Sequence, residues 1–195
     1  MVKDWKGDWK SVALCLGVEH SMTQPNREEN DFYATEPKAA TLLMGIEDLH
    51  KNIWECACGE GHLAKVFEAA GHNVKATDLI YRGYGEGGVD FLKQAEPFDG
   101  DIITNPPYRY ALEFCKHGIK LLKEGCKLCM FLKIQYLEGK ERRKFYDVTP
   151  PARVWVSSSR LKCGRGGVFS DSAVAYAWFV WEKDFHGITE LKWFN

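Results

Sequence analysis

Four residues, Asn105-Pro106-Pro107-Tyr108, interrupt good strand sequence, DIIT, and good helix sequence, YALEFCKHGIKLLKEG. Proline fixes φ and carries no N–H, so two in a row hold an extended, rigid turn whose carbonyls stay free. The turn offers two converging acceptors, the Asn105 side-chain oxygen and the Pro106 backbone carbonyl, with the Tyr108 ring beside them. Two acceptors and a stacking ring suit a planar NH2 group. Hydrogen bonds to both protons localise the nitrogen lone pair, and acceptors already in place lower the barrier to its reaction. Asn105, Pro106, Pro107 and Tyr108 are therefore the candidate catalytic residues.

Upstream, ECACGEGHL places Gly59 and Gly61 after a strand-like run. The glycines permit tight turning and close backbone approach, and the helix that follows presents free amides to an acidic group. Ala64 stands where a dinucleotide fingerprint has its third glycine, so a pyrophosphate is not demanded. Glu55, at the strand end, is a carboxylate placed to meet a cation such as an α-amine. Asp78 follows the next strand-like run, about 20 residues beyond the glycines, a position that suits the two hydroxyls of a ribose. Asp90 and Phe91 offer an acceptor for an exocyclic amine and a ring to lie against a purine. Together these positions describe a pocket for an adenosine with an amino-acid tail.

The elements that must carry these residues read as follows. The spacing of KAATLLMGIEDL behind Pro37 predicts a helix over 37–49. NIWECA, GEGHLAKVFEAAG and NVKATDL form a strand-helix-strand unit, hence a parallel pair with a right-handed crossover. A short strand is expected at 88–91. GDIITN is a strand, YALEFCKHGIKLLKEG a helix, CKLCMFLKI a strand and LEGKERRKFYD a short basic helix. ARVWVSS and AVAYAWFVWEK have no helix between them and are expected to pair as an antiparallel hairpin. The class is α/β: a three-layer sandwich with a mostly parallel sheet, closed by that C-terminal hairpin. In such sheets ligands bind beyond the carboxyl ends of the strands, which is where the singled-out residues lie.

The chain of 195 residues, with 45% apolar residues, fills one core, so a single domain over 1–195 is expected, with 1–30 an irregular arm holding Trp5 and Trp9. Net charge is −1, so the protein as a whole does not match a polyanion, and nucleic-acid contact needs a local basic surface. Between 137 and 165 there are eight Lys or Arg against three acids. Arg142, Arg143, Lys144, Arg160, Lys162 and Arg165 are the candidate phosphate contacts. The seven cysteines are an odd count, several sit in apolar runs, and no signal peptide precedes them, which implies reduced thiols inside a cell. Cys126 and Cys129, three apart in a strand, point to opposite faces, so no metal site is expected. No apolar run approaches the roughly 20 residues needed to span a bilayer, so no membrane partner is expected.

With these residues in hand, the chain resembles class I S-adenosylmethionine-dependent amino-methyltransferases, and among them the small, phage-type N6-adenine DNA methyltransferases. DFYATEP, ECACGEGHL, TDL, DFL and NPPY each resemble a motif of that family, over about residues 28–135, with a looser echo in SAVAYAWFVWEK. The resemblance implies a Rossmann-like class I methyltransferase fold and S-adenosyl-L-methionine as cofactor. It implies cofactor contacts from Tyr33, Thr35, Glu55, Ala57, Gly59, Gly61, Asp78, Leu79, Asp90, Phe91 and Asn105. It also implies base flipping and direct methyl transfer to adenine in DNA, in a cytoplasmic protein compatible with a phage or prophage gene. The NPPY motif is shared by enzymes acting on RNA and on protein glutamine, which stay as alternatives, as does a non-catalytic cofactor-binding module. Larger DNA enzymes of the family carry a long target-recognition region, and only about forty residues follow the basic helix here, so sequence-specific reading is modest or borrowed.

Overall fold

Along Lys127–Lys133 the side chains divide between two hydrophobic clusters. Leu128, Met130 and Leu132 pack with Trp54, Ile102 and Phe114, whereas Cys129 and Phe131 pack with Leu43, Ile53 and Phe67. Successive strand residues point to opposite faces, so a strand apolar throughout must be covered on both sides. In the computed structural model, which describes residues 33–164 and 174–195, helices supply that cover.

The elements in chain order are β1 (Ala34–Thr35), α1 (Lys38–Ile46), β2 (Asn52–Glu55), α2 (Ala64–Ala69), β3 (Asn73–Ala76), β4 (Asp101–Thr104), α3 (Ala111–Leu121), β5 (Lys127–Lys133), α4 (Lys140–Val148), β6 (Arg153–Ser157), β7 (Cys163–Gly164), β8 (Tyr176–Glu182) and β9 (Glu190–Phe194). Seven strands make one sheet in the order β3-β2-β4-β5-β8-β6-β9. The β2–β3, β2–β4, β4–β5 and β6–β9 pairs are parallel, and β8 runs antiparallel to both β5 and β6. Helices α1 and α2 bury Ala39, Ala40, Leu43 and Phe67 on one face, while α3 and α4 bury Phe114, Cys115 and Phe145 on the other. This is the expected three-layer, mostly parallel sandwich of Rossmann-like type with an antiparallel C-terminal pair. Phe32–Asn195 makes one compact unit. The expected arm at 1–30, with Trp5 and Trp9, lies outside the described residues.

Four local differences have physical causes. Helix α1 ends at Ile46 rather than 49, because Glu47 turns to extended backbone (φ −124, ψ 135). Its buried carboxylate collects Arg153 Nε (2.6 Å) and Nη2 (2.9 Å), Trp155 Nε1 (2.7 Å) and Lys127 Nζ (2.9 Å). No strand forms at 88–91. Gly88 has φ +79, and Asp90 Oδ1 accepts from the Leu92 amide at 3.1 Å, starting a 3-10 turn over Phe91–Lys93. The outer side of β3 is instead extended by the glycine-rich segment that follows it, through a parallel bridge from Thr77 to Glu86. Strand β8 pairs with β6 as expected, but it also pairs along the whole of β5, from Lys127–Glu182 to Lys133–Tyr176, and so lies inside the sheet. Strand β9 was not anticipated and forms an edge beside β6.

Candidate active site

Strand order reverses between β2 and β4: the chain leaves β2 through α2 to β3 on one side, and β4 lies on the other. The crevice beyond the carboxyl ends at such a switch point is where open α/β sheets take ligands. The loop over 56–61 follows Glu55 at the end of β2, and the Asn105 turn follows β4.

The loop needs its glycines. Gly59 and Gly61 have φ of +55 and +79, and a Cβ on Gly61 would lie 2.3 Å from the Tyr84 ring. Asp78 ties the loop to the end of β3: Oδ2 accepts from the Gly59 amide and Oδ1 from the Ile80 amide, both at 2.9 Å. Each carboxylate oxygen keeps a second lone pair for a ligand. Leu79, beside it, is 58% exposed, and Ala57 is half-buried. Glu55 is 3% exposed, and its Oε2 is a buried acceptor without a partner. Burial pushes its carboxyl well above the ordinary carboxylate range and the negative Asp78 and Glu68 add to this, against a hydrogen bond from the Ala64 amide. A buried orphan oxygen in an acidic setting calls for a cation or a donor.

On the other side of the crevice, Asn105 Nδ2 donates to the Tyr33 carbonyl at 3.1 Å and to Thr35 Oγ1 at 2.9 Å. Asn105 Oδ1 is buried and unpartnered. The Pro107 carbonyl accepts from the Tyr110 amide at 2.9 Å, whereas the Pro106 carbonyl accepts from no backbone amide among the described residues. Tyr108 donates its hydroxyl to the Tyr176 hydroxyl at 2.9 Å, and its ring stacks with Tyr33 at a centroid distance of 5.4 Å. Burial raises the Tyr108 phenol further above its ordinary value, so it stays protonated. The Lys133 ammonium lies 4.5 Å from the centre of the same ring.

The remaining expected residues are placed as follows. Asp90 caps the 3-10 turn and pairs with Lys93 at 3.2 Å. Phe91 does not offer a face to a purine: it is 2% exposed and packs edge-on against Trp54, with 5.3 Å between centroids. On the basic helix, Arg143 pairs with Asp147 at 2.6 Å and Lys144 with Glu141 at 2.7 Å, so its own acids answer much of the charge. Arg142 donates to the Glu138 carbonyl and lies over Tyr136 at 4.9 Å. Arg160 and Lys162 lie between β6 and β7, and Arg165 lies outside the described residues. Lys133, Cys163 and Tyr176 were not foreseen. Lys133 ends β5, the strand next to β4, so the rule that found Asn105 also reaches it. Cys126 and Cys129 belong to opposite hydrophobic clusters. Among the described residues no helix is long and apolar enough to cross a membrane.

No protein-family model and no curated protein matches the chain. Solved structures do match its fold. A Listeria monocytogenes protein assigned as a class I S-adenosylmethionine-dependent methyltransferase superposes with a TM-score of 0.57 at 17% identity, over 94% of this chain and 70% of that one. A Pyrococcus horikoshii protein assigned as an RNA methyltransferase gives 0.59 at 12% identity, over 92% and 99%. A modification subunit assigned to a type I restriction enzyme of Vibrio vulnificus gives 0.55 at 12%, over 92% of this chain and 49% of that one. The chain thus has the fold of class I methyltransferases.

Proposed function

We propose that residues 1–195 act as one S-adenosylmethionine-dependent methyltransferase domain, an intracellular protein that methylates N6 of adenine in DNA with the base turned out of its stack. The observation that carries this reading is the buried, unpartnered Asn105 Oδ1 at the carboxyl end of β4. The crevice also fits the cofactor: the orphan Glu55 Oε2 suits its ammonium, the Gly59–Gly61 turn its close approach, Asp78 its ribose and Leu79 its adenine face. When bound, the cofactor supplies an electrophilic methyl group.

The chain's own residues prepare the acceptor. Asn105 Oδ1 and the Pro106 carbonyl accept hydrogen bonds from the two N–H groups of the NH2, which concentrates its lone pair away from the ring, and one of these protons passes to solvent once the nitrogen carries the methyl group. These bonds strengthen as the nitrogen becomes nucleophilic, so they favour the transition state over the ground state. The Tyr108 ring, pinned by Tyr176, is the stacking surface for the planar base, a contact worth about 1–3 kcal/mol where bases stack on aromatic side chains. The base must displace the Tyr33 ring or the Lys133 ammonium now lying against it.

The deciding experiment is methyl transfer from labelled cofactor to duplex DNA, single-stranded DNA, RNA and bulk protein in parallel, followed by nucleoside analysis. N6-methyladenine in DNA, lost in Asn105→Ala and partly kept in Asn105→Asp, is the expected result. The RNA arm answers the Pyrococcus neighbour. Full activity of Asn105→Ala on DNA would reduce the turn to a structural feature and refute the reading.

A further inference from the structure

The family likeness assigns Thr35 to the cofactor, yet its hydroxyl faces Asn105. Thr35 is 3% exposed, and its Oγ1 lies 2.9 Å from Asn105 Nδ2. The same nitrogen lies 3.1 Å from the Tyr33 carbonyl. A carbonyl accepts and never donates, so the nitrogen of the Asn105 amide, and not its oxygen, must face Tyr33. Turning the amide over would set two acceptors against each other. Torsion about the final bond of asparagine is otherwise soft, which makes these two contacts the ones that fix where Oδ1 points.

The contacts come from a built device. Thr35 belongs to the two-residue strand β1, which pairs antiparallel with β7 in the register Ala34–Gly164 and Thr35–Cys163. The flanking amide of Glu36 continues that ribbon by donating to the Lys162 carbonyl at 3.0 Å. Cys163 brings its sulfur to 3.9 Å from the same Asn105 nitrogen. Two chain segments more than a hundred residues apart are joined where they bracket one side-chain amide.

We propose that Thr35 is a positioning residue for Asn105: its hydroxyl and the Tyr33 carbonyl hold the amide nitrogen, so that Oδ1 faces the acceptor amine. The proposal rests on the role given to Asn105 above. It separates Thr35 from Glu55 and Asp78, which serve the cofactor, and makes the β1–β7 ribbon part of the acceptor side of the site.

The test compares Thr35→Val, of nearly the same shape but without the hydroxyl, with Thr35→Ser, which keeps it. One readout needs no turnover: the Asn105 side-chain amide resonances, assigned by their loss in Asn105→Ala, with their hydrogen-exchange rates. The others are S-adenosylmethionine affinity by calorimetry and kcat on the substrate found in the parallel assay. Thr35→Val is expected to speed exchange of the Asn105 amide protons and to lower kcat about 10- to 100-fold, the scale of a small misplacement of reacting groups, with cofactor affinity within about twofold of wild type. Thr35→Ser is expected to restore both the resonances and kcat. Unchanged Asn105 resonances in Thr35→Val would overturn the proposal, as would weakened cofactor binding with kcat at saturating cofactor unchanged. If the resonances move as expected and Asn105→Ala is nonetheless fully active, the reading of Asn105 fails while the hydrogen bond stands, so the two failures are distinct.

Discussion

Glu55→Gln separates what the Glu55 carboxyl does for a ligand from what it does to the fold. Oε2 is the orphan atom, so a bound ammonium completes one charge-assisted hydrogen bond there. Such bonds contribute about 1.5–3 kcal/mol and neutral ones about 0.5–1.5, so the variant loses about 1–2 kcal/mol, or roughly 5- to 30-fold in S-adenosylmethionine affinity. The pH dependence of stability adds an independent signature. Burial raises the Glu55 carboxyl, so the folded protein holds that proton to higher pH than the unfolded chain does. Stability should therefore fall as pH rises from the ordinary carboxylate range through the raised folded value, and Glu55→Gln should lack that slope. An ammonium that draws Glu55 into its charged form also releases a proton, which titration calorimetry in buffers of different ionisation enthalpy detects in wild type and not in the variant. Equal affinity in a folded Glu55→Gln protein would remove Glu55 from the ligand site. Identical pH slopes in thermal melts would refute the argument that burial governs its ionisation.

Two further sets of variants have expected outcomes. Burial pushes the Glu47 carboxyl up, but hydrogen bonds from Arg153, Trp155 and Lys127 outweigh it and hold the group below the ordinary carboxylate range; Glu47→Leu should cost about 1.5–3 kcal/mol in denaturant unfolding by removing charge-assisted hydrogen bonds, with Arg153 keeping Glu182 and Lys127 keeping the Asp48 carbonyl. The stability due to Glu47 is present above the carboxylate range and lost as pH falls through the lowered folded value, so the wild type should show an acid-side decline that the variant lacks. Neutralising Arg142, Arg143 and Lys144 together should flatten the plot of log DNA affinity against log salt, since fewer counterions are released; an unchanged slope would place DNA elsewhere on the surface.

What the sequence made legible was whatever a repeating pattern or rigid chemistry wrote into it. The strand-helix-strand unit over β2, α2 and β3 follows from a change of period, and Asn105 with its two prolines has few other uses at the end of a strand. The place of Phe91 is not legible, because a phenylalanine after an aspartate reads the same whether it faces a ligand or the core, and only the edge-on contact with Trp54 decides. The β1–β7 ribbon was invisible because two-residue strands carry no period, and its pairing joins segments far apart in the chain. A count of cations against acids does not show which of them meet: on α4, Arg143 and Lys144 face acids four and three residues away.

The place of β8 inside the sheet bears on how the chain is made. Its partner β5 leaves the ribosome first, and roughly 40 residues separate the two strands; at about 5–20 residues per second that gap lasts some 2–8 s. Any half-sheet of β3, β2, β4 and β5 formed in that interval has the unpaired backbone of β5 along one margin, flanked by Leu128, Met130, Phe131 and Leu132. That margin is a ready template for a wrong strand, on a neighbouring chain or on the same one. The tempo of translation across 134–175 thus sets how long the protein is exposed to misassembly before its own β8 arrives to close the gap.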